Sequence, residues 1–192
     1  GGANTYEQST FQGYLNSYEA IIEDTLFGGF VHEFFKTSPA PIQLTLSDSV
    51  KTIINSGISI LTFFGHAAGS GFEQNLDAVS SYSNKGRYPL LIANACFVGD
   101  IHKSLYQTTL GSTSEEWVLT AEKGSIGFIA AVGLGLPPNL NSYTTGLYTN
   151  IGQKLYGKSI GQCIYNSIVA MQGTGMDQAV RNTVLEMTLH GD

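Results

Sequence analysis

Over residues 6–27 the apolar side chains Phe11, Tyr14, Leu15, Tyr18, Ile21, Ile22 and Leu26 recur at spacings of three and four. This predicts one amphipathic helix, closed by the Gly28-Gly29 pair. Residues 30–35 read as a short strand or a helical turn, and Pro39 and Pro41 then force a loop. Ser47 or Asp48 is placed to cap a short helix over 49–56, with Gly57 ending it. The pattern then changes. Residues 58–64 form a β-branched and aromatic run of strand length without alternation, as a strand buried on both faces would. Residues 89–94 and 125–132 repeat that pattern and read as two central strands. Residues 114–121 between them read as a helix with a Ser cap and acids in its first turn. Strand, helix, strand predicts parallel pairing. Helices over 143–155 and 159–172 and a last, half-exposed strand over 184–190 complete an α/β domain: an open, mostly parallel sheet with helices on both faces. No internal repeat, low-complexity run or linker divides it, so 1–192 reads as one domain.

Composition narrows the function. Of 192 residues, 42% are apolar and only 12% charged, which excludes a disordered chain. Nine basic against fifteen acidic residues give a net charge of −6 with no Lys/Arg cluster, so a phosphate-backbone footprint is missing and nucleic acid is not an expected partner. The longest uncharged stretch, 124–153, is broken by Pro137, Pro138, Asn139 and Asn141 and is not expected to span a membrane. No charged segment followed by an apolar one opens the sequence, so no signal peptide is expected within it. Two cysteines, Cys96 and Cys163, form neither a disulfide framework nor a zinc motif.

In open parallel sheets the reactive groups lie just past the C-terminal ends of the strands. One strand ends in Gly65-His66-Ala67-Ala68-Gly69-Ser70-Gly71 and the next in Asn94-Ala95-Cys96, with Gly99-Asp100 just beyond. The thirty positions from His66 to Cys96 suffice for the chain to leave that edge and return to it one strand over. A free thiol is mostly protonated near neutral pH, and a neighbouring imidazolium stabilises the reactive thiolate and later protonates a leaving amine. The backbone amides of Cys96 and Ala67 are the expected oxyanion donors. Small residues at Gly65, Ala67, Ala95 and Gly99 leave room for a peptide backbone. Taken singly, a Cys after an apolar strand reads equally well as a small buried hydrophobe, and a strand-end His as a hydrogen-bonded structural residue. Cys163 fits a helical core pattern with Ile160, Ile164 and Ile168, and His32, His102 and His190 have no partners at metal-ligand spacing. The glycine-rich loop matches neither the dinucleotide nor the Walker pattern.

The Gly65-His66 strand end, the Ala95-Cys96 strand end with Gly99-Asp100, and the block Lys123 to Gly133 together resemble the gingipain family of clan CD cysteine peptidases, which includes the sortase-like relatives of type IX secretion. The resemblance implies a caspase-like fold with His66 and Cys96 as the catalytic dyad. It implies a substrate pocket involving Gly65, Asn94 and Ala95, with Val132, Gly133 and Leu134 as one wall. The closing Leu189-His190-Gly191-Asp192 is similar to the family's final strand. Family members carry Gly after the histidine where Ala67 stands here, and their domain begins further upstream, where their supporting acid lies. The resemblance thus implies a fragment partnered by an upstream part of the same chain. Within the sequence, Glu73 and Asp77 are the nearest candidate acids, and both equally read as solvated loop carboxylates. Relatives that cut after Arg or Lys need an acid in the pocket, for which Asp77 and Asp100 are the candidates.

The expected function is a cysteine endopeptidase, or a sortase-like transpeptidase, acting on polypeptides through a thioester. It requires no cofactor, although the resemblance permits a structural calcium ion, and implies a secreted, periplasmic or cell-surface location. The alternatives are a non-catalytic protein-binding domain of the same fold and a flavodoxin-like domain that binds a ligand through residues 69–71.

Overall fold

A computed structural model describes residues 1–37, 47–68, 71–73, 76, 78–102, 113–173, 175 and 177–191. Pro39, Pro41, Gly69, Ser70, Asp77 and Asp192 lie outside them.

Helix α1 (Thr5–Ile22) buries Phe11, Tyr18 and Ile22 from the predicted stripe. It stops before Gly28-Gly29. A turn takes its place, with the Gly29 N–H returning to the Ile22 carbonyl, and leaves Leu26 exposed. Residues 30–37 form no regular element. After helix α2 (Ser47–Ser56) come strand β1 (Ile60–Phe64), a small hairpin of β2 (Ala67–Ala68) and β3 (Gly71–Phe72), and strand β4 (Leu90–Asn94). Helix α3 (Thr113–Leu119) leads to strand β5 (Gly127–Ala131). Helix α4 (Pro137–Thr149) opens six residues earlier than the pattern suggested, because proline is tolerated in a first turn, where the amides have no intrahelical partner. It runs into a π-helical turn, Asn150–Lys154, followed by α5 (Ile160–Gly173), α6 (Gln178–Glu186) and β6 (Met187–Gly191).

The main sheet has the order β1-β4-β5-β6, the first three strands parallel and β6 antiparallel to β5. Helices cover both faces. Phe64, Ile92, Ile129, Ala131 and Met187 pack with α1, α4 and α5, and Leu91, Ala93, Phe128 and Ala130 pack with α2 and α3. β5 is buried throughout and β4 nearly so, as their unbroken apolar runs require. β1 is less buried than its pattern predicts: among the described residues it lies at the edge of the sheet, and four of its five residues are only half-buried. The last strand is also shorter than expected. Asp177 caps α6 through the Val180 N–H and the helix continues through Glu186, so residues 184–186 are helical. Among the described residues, no helix is long and apolar enough to cross a membrane.

Ser114, expected as the cap, lies within α3, which begins at Thr113. Its buried hydroxyl lies 2.7 Å from His190 Nδ1, while His190 Nε2 lies 2.9 Å from Thr188 Oγ1. The Thr188 hydroxyl donates to the Ala130 carbonyl, so it accepts from Nε2–H, and Nδ1 of the neutral ring accepts from Ser114. Burial pushes the His190 pKa down, outweighing the nearby Glu115 carboxylate. The folded state therefore binds fewer protons than the unfolded chain below the ordinary histidine value of about 6.5. The contribution of His190 is flat above that pH and turns unfavourable as pH falls through it toward the lowered folded value. Urea midpoints measured between pH 7.5 and 5 are expected to fall less in His190→Asn than in the parent chain.

Candidate active site

The parallel register of β1 on β4 pairs Phe64 with Asn94, and the Gly65 N–H continues it onto the Asn94 carbonyl. His66 and Cys96 each stand two residues beyond that last pair, on neighbouring strand ends. Both face the α1/α4 side. The His66 ring meets Phe11 of α1 edge-on, and Cys96 Sγ lies 3.8 Å from the Gly135 carbonyl just before α4. Asn94, of the same strand parity as Cys96, accepts a hydrogen bond from Thr144 of α4.

Cys96 opens a turn whose next residue, Phe97, has φ +60°, a left-handed conformation that side chains other than glycine adopt at a cost of about 1 kcal/mol. Hydrogen bonds hold the turn there: the Phe97 N–H donates to Gly133 and the Gly99 N–H to Ala131. These bonds set the 132–135 loop against the cysteine. Leu134, expected in the pocket wall, is 68% exposed, while Val132 and Gly133 are half-buried. The Glu186 carboxyl packs behind Gly133, where a Cβ would lie 2.7 Å from it, and burial pushes the Glu186 pKa up. Ala67 pairs with Phe72 in the β2–β3 hairpin, which follows β1 at the end of the strand.

The carboxylate on the His66 ring comes from a residue the sequence reading did not single out. Glu7 Oε2 lies 3.0 Å from His66 Nε2. Asn4 caps α1 by accepting the Glu7 N–H, and the Glu7 carboxylate reaches back to the Ala3 N–H at 2.7 Å, a variant of the capping box. The bond from His66, followed by that from Ala3, holds the Glu7 pKa below the usual carboxylate value. The Asn4-to-Glu7 spacing is the sequence signal that could have found it, since such a carboxylate is fixed at a helix N-terminus.

Glu73, the nearest candidate in sequence, is directed elsewhere. Its buried carboxylate accepts the backbone N–H groups of His66 at 2.8 Å and Gly2 at 2.6 Å and pairs with Lys36 Nζ at 2.8 Å. Asp100 accepts the backbone N–H of His102. Cys163 is buried in the α4/α5 core as expected, its pKa raised by that burial. Among the described residues, no group of three or more His, Cys, Asp or Glu is gathered to hold a metal ion. An apolar cavity of about 420 Å³ runs beside β1, between α1, α2 and residues 29–35; Glu7, His66 and Cys96 are not in its lining.

Gly65 is required by close approach. A Cβ there would fall 2.3 Å from Glu73 Oε1 and 2.9 Å from the Phe63 ring. Gly65→Ala is expected to lower stability by about 1–3 kcal/mol in chemical denaturation, the usual cost of overpacking, by pushing the Glu73 carboxylate off the His66 amide.

No curated protein sequence gives a significant match. Among solved structures the chain is similar to the Arg specific cysteine proteinase gingipain R, with a TM-score of 0.77 and 15% identity over 94% of this chain and 41% of that one. It is also similar to the complex of the pro- and mature domains of the Porphyromonas gingivalis enzyme, with a TM-score of 0.79 and 15% identity over 97% of this chain and 43% of that one. A third structure, described only as a protease, gives a TM-score of 0.60 at 15% identity over 72% of this chain and 35% of its own. The chain thus spans about two fifths of the length of the two gingipain structures, and it shares their caspase-like α/β fold. Residues 3–192 match Peptidase family C25, and the chain belongs to that gingipain-type family of cysteine peptidases.

Proposed function

We propose that the chain carries the catalytic centre of a cysteine endopeptidase in which Cys96 is the nucleophile, His66 the acid and base, and Glu7 the group that orients the imidazole. The observation that carries this reading is the 3.0 Å contact between Glu7 and His66 on the strand end next to that of Cys96. An acid, a base and a thiol in that order are the parts nucleophilic acyl transfer needs.

The Cys96 thiolate adds to a peptide carbonyl carbon, forming the C–S bond, while the amides of Ala67 and Cys96 receive the negative oxygen. The intermediate collapses by breaking the C–N bond, and the departing amine takes its proton from the His66 imidazolium. His66, now neutral, removes a proton from water, which adds to the thioester and releases Cys96. Glu7 stabilises the charged ring and fixes its tautomer. Attack by another amine in place of water gives the sortase-like outcome, transfer. Gly65, Val132, Gly133 and Leu134 frame the space for the residue before the scissile bond, and Asn94 and Ala95, fully buried, back it from within the fold. A polypeptide substrate, an upstream part of the same chain as partner, and a secreted, periplasmic or cell-surface location served by type IX secretion belong to the same proposal, supported by family membership.

Iodoacetamide near pH 6 is expected to modify Cys96 and spare Cys163, and His66→Ala to abolish that selectivity. Equal, slow reaction of both thiols would instead favour a non-catalytic binding domain. In peptide cleavage, Cys96→Ala is expected to lose all measurable turnover, and Glu7→Gln to lower kcat about a hundredfold or more with little change in KM, since the acid acts on the ring and not on the substrate.

A further inference from the structure

We infer that Glu73, with Lys36 as its countercharge, is a positioning residue that sets His66 and Glu7 against each other. The inference rests on the proposed reading of those two residues. Glu73 and Lys36 side chains are only 6% and 1% exposed, and a buried ion pair of this kind is weak evidence for stability, since an apolar pair of similar volume often serves a fold as well. What it supplies here is geometry. Glu73 holds the His66 main chain on both sides: its carboxylate accepts the His66 N–H and its own N–H donates to the His66 carbonyl at 3.0 Å. The same carboxylate oxygen, Oε1, accepts the Gly2 N–H, and Lys36 Nζ donates to the Gly2 carbonyl at 3.3 Å.

Gly2 immediately precedes Ala3, whose N–H holds the Glu7 carboxylate. One oxygen atom is therefore shared between the segment that carries the base and the segment that fixes the acid. The separation of ring and carboxylate depends on it. Gly65 and Gly1 are the residues that permit this approach, a Cβ on Gly1 falling 1.7 Å from the same oxygen. A Cβ on Gly65 would overlap the oxygen, and Gly2 has φ +128° with a Cβ position 2.7 Å from the Gln8 amide nitrogen. Burial works against the Glu73 charge, and the Lys36 contact together with the two backbone N–H groups more than offsets it, keeping the carboxylate ionised. No contact joins Glu73 to the imidazole ring itself, so its effect on the chemistry passes through the main chain.

The test compares Glu73→Gln, Glu7→Gln and their double variant in two measurements: peptide turnover and the pH dependence of Cys96 alkylation by iodoacetamide. Glu73→Gln places an amide N–H₂ among donors and breaks the shared contact. It is expected to lower kcat about tenfold or more with KM within about twofold, and to slow Cys96 alkylation near pH 6 by a similar factor. The double variant is expected to be no slower than Glu7→Gln alone, because both changes remove one arrangement. Lys36→Arg, which keeps the countercharge, is expected to retain most of both signals. If Glu73→Gln does not fold, the apolar pair Lys36→Met/Glu73→Leu, measured well below its own melting temperature, takes its place with the same expected losses.

A folded variant at Glu73 that keeps kcat and the alkylation profile within about twofold overturns the inference, as does a double variant whose losses multiply as independent effects. If His66→Ala and Glu7→Gln themselves leave Cys96 alkylation unchanged, the proposed catalytic reading fails. That outcome is distinct from sensitivity to Glu7 combined with indifference to Glu73.

Discussion

The parallel pairing of β1 with β4 is the constraint on which the site depends. In a parallel ladder both strands run the same way, so their C-terminal ends reach the same edge, and the register decides which residues emerge there together. With Phe64 opposite Asn94, the next positions of matching parity are His66 and Cys96. A slip of one residue would send one of the two side chains to the opposite face of the sheet. Burial specifies the register. Phe64, Ile92 and Asn94 meet α1 and α4 on one face, while Leu91 and Ala93 meet α2 and α3 on the other, and a one-residue slip would exchange the faces. The placement of His66 and Cys96 therefore follows from core packing on both sides of the sheet.

That dependence explains what could be read in the sequence. β4 and β5 are short apolar runs covered on both faces, and hydrophobic pattern alone identifies such strands. His66 and Cys96 follow from those strands because a strand end is a local property. The same pattern misled at β1, where residues 58–64 are as apolar as a central strand but only half-covered. Periodicity records that residues are apolar and not how many neighbours they acquire. The boundary between α6 and β6 was misplaced because residues 184–190 alternate while the Asp177 cap and the helical spacing of Val180, Thr183 and Val184 win locally.

The contact of Glu7 with His66 is harder to read because it is a non-local property. Glu7 precedes His66 by 59 positions and meets it only because α1 packs across the end of β1. The resemblance pointed upstream of the chain for such a group, and Glu73 and Asp77 were merely nearest in sequence. Glu73 faces the main chain of His66, while Glu7, from the far end of the sequence, faces its side chain. Lys36 was equally invisible. A lysine among apolar and polar loop residues reads as solvated, and only the fold reveals that its amine is enclosed with Glu73.

Two carboxylates close to one histidine pose an electrostatic problem that the arrangement resolves. If both carried uncompensated charge toward the ring, each would compete for the imidazolium, and the ring could rest against either. Lys36 neutralises Glu73 inside the fold, and its two backbone donors saturate the oxygen nearest the His66 main chain, so that carboxylate has little field left to offer the imidazole. Glu7 is left ionised at the N-terminus of α1, half-exposed and bonded to Ala3, with no lysine or arginine hydrogen-bonded to it among the described residues. The helix dipole and the Ala3 N–H favour its negative charge without cancelling it. Of the two carboxylates, one is thus held against the backbone of His66 and the other against its ring, and the buried lysine is what separates the two arrangements.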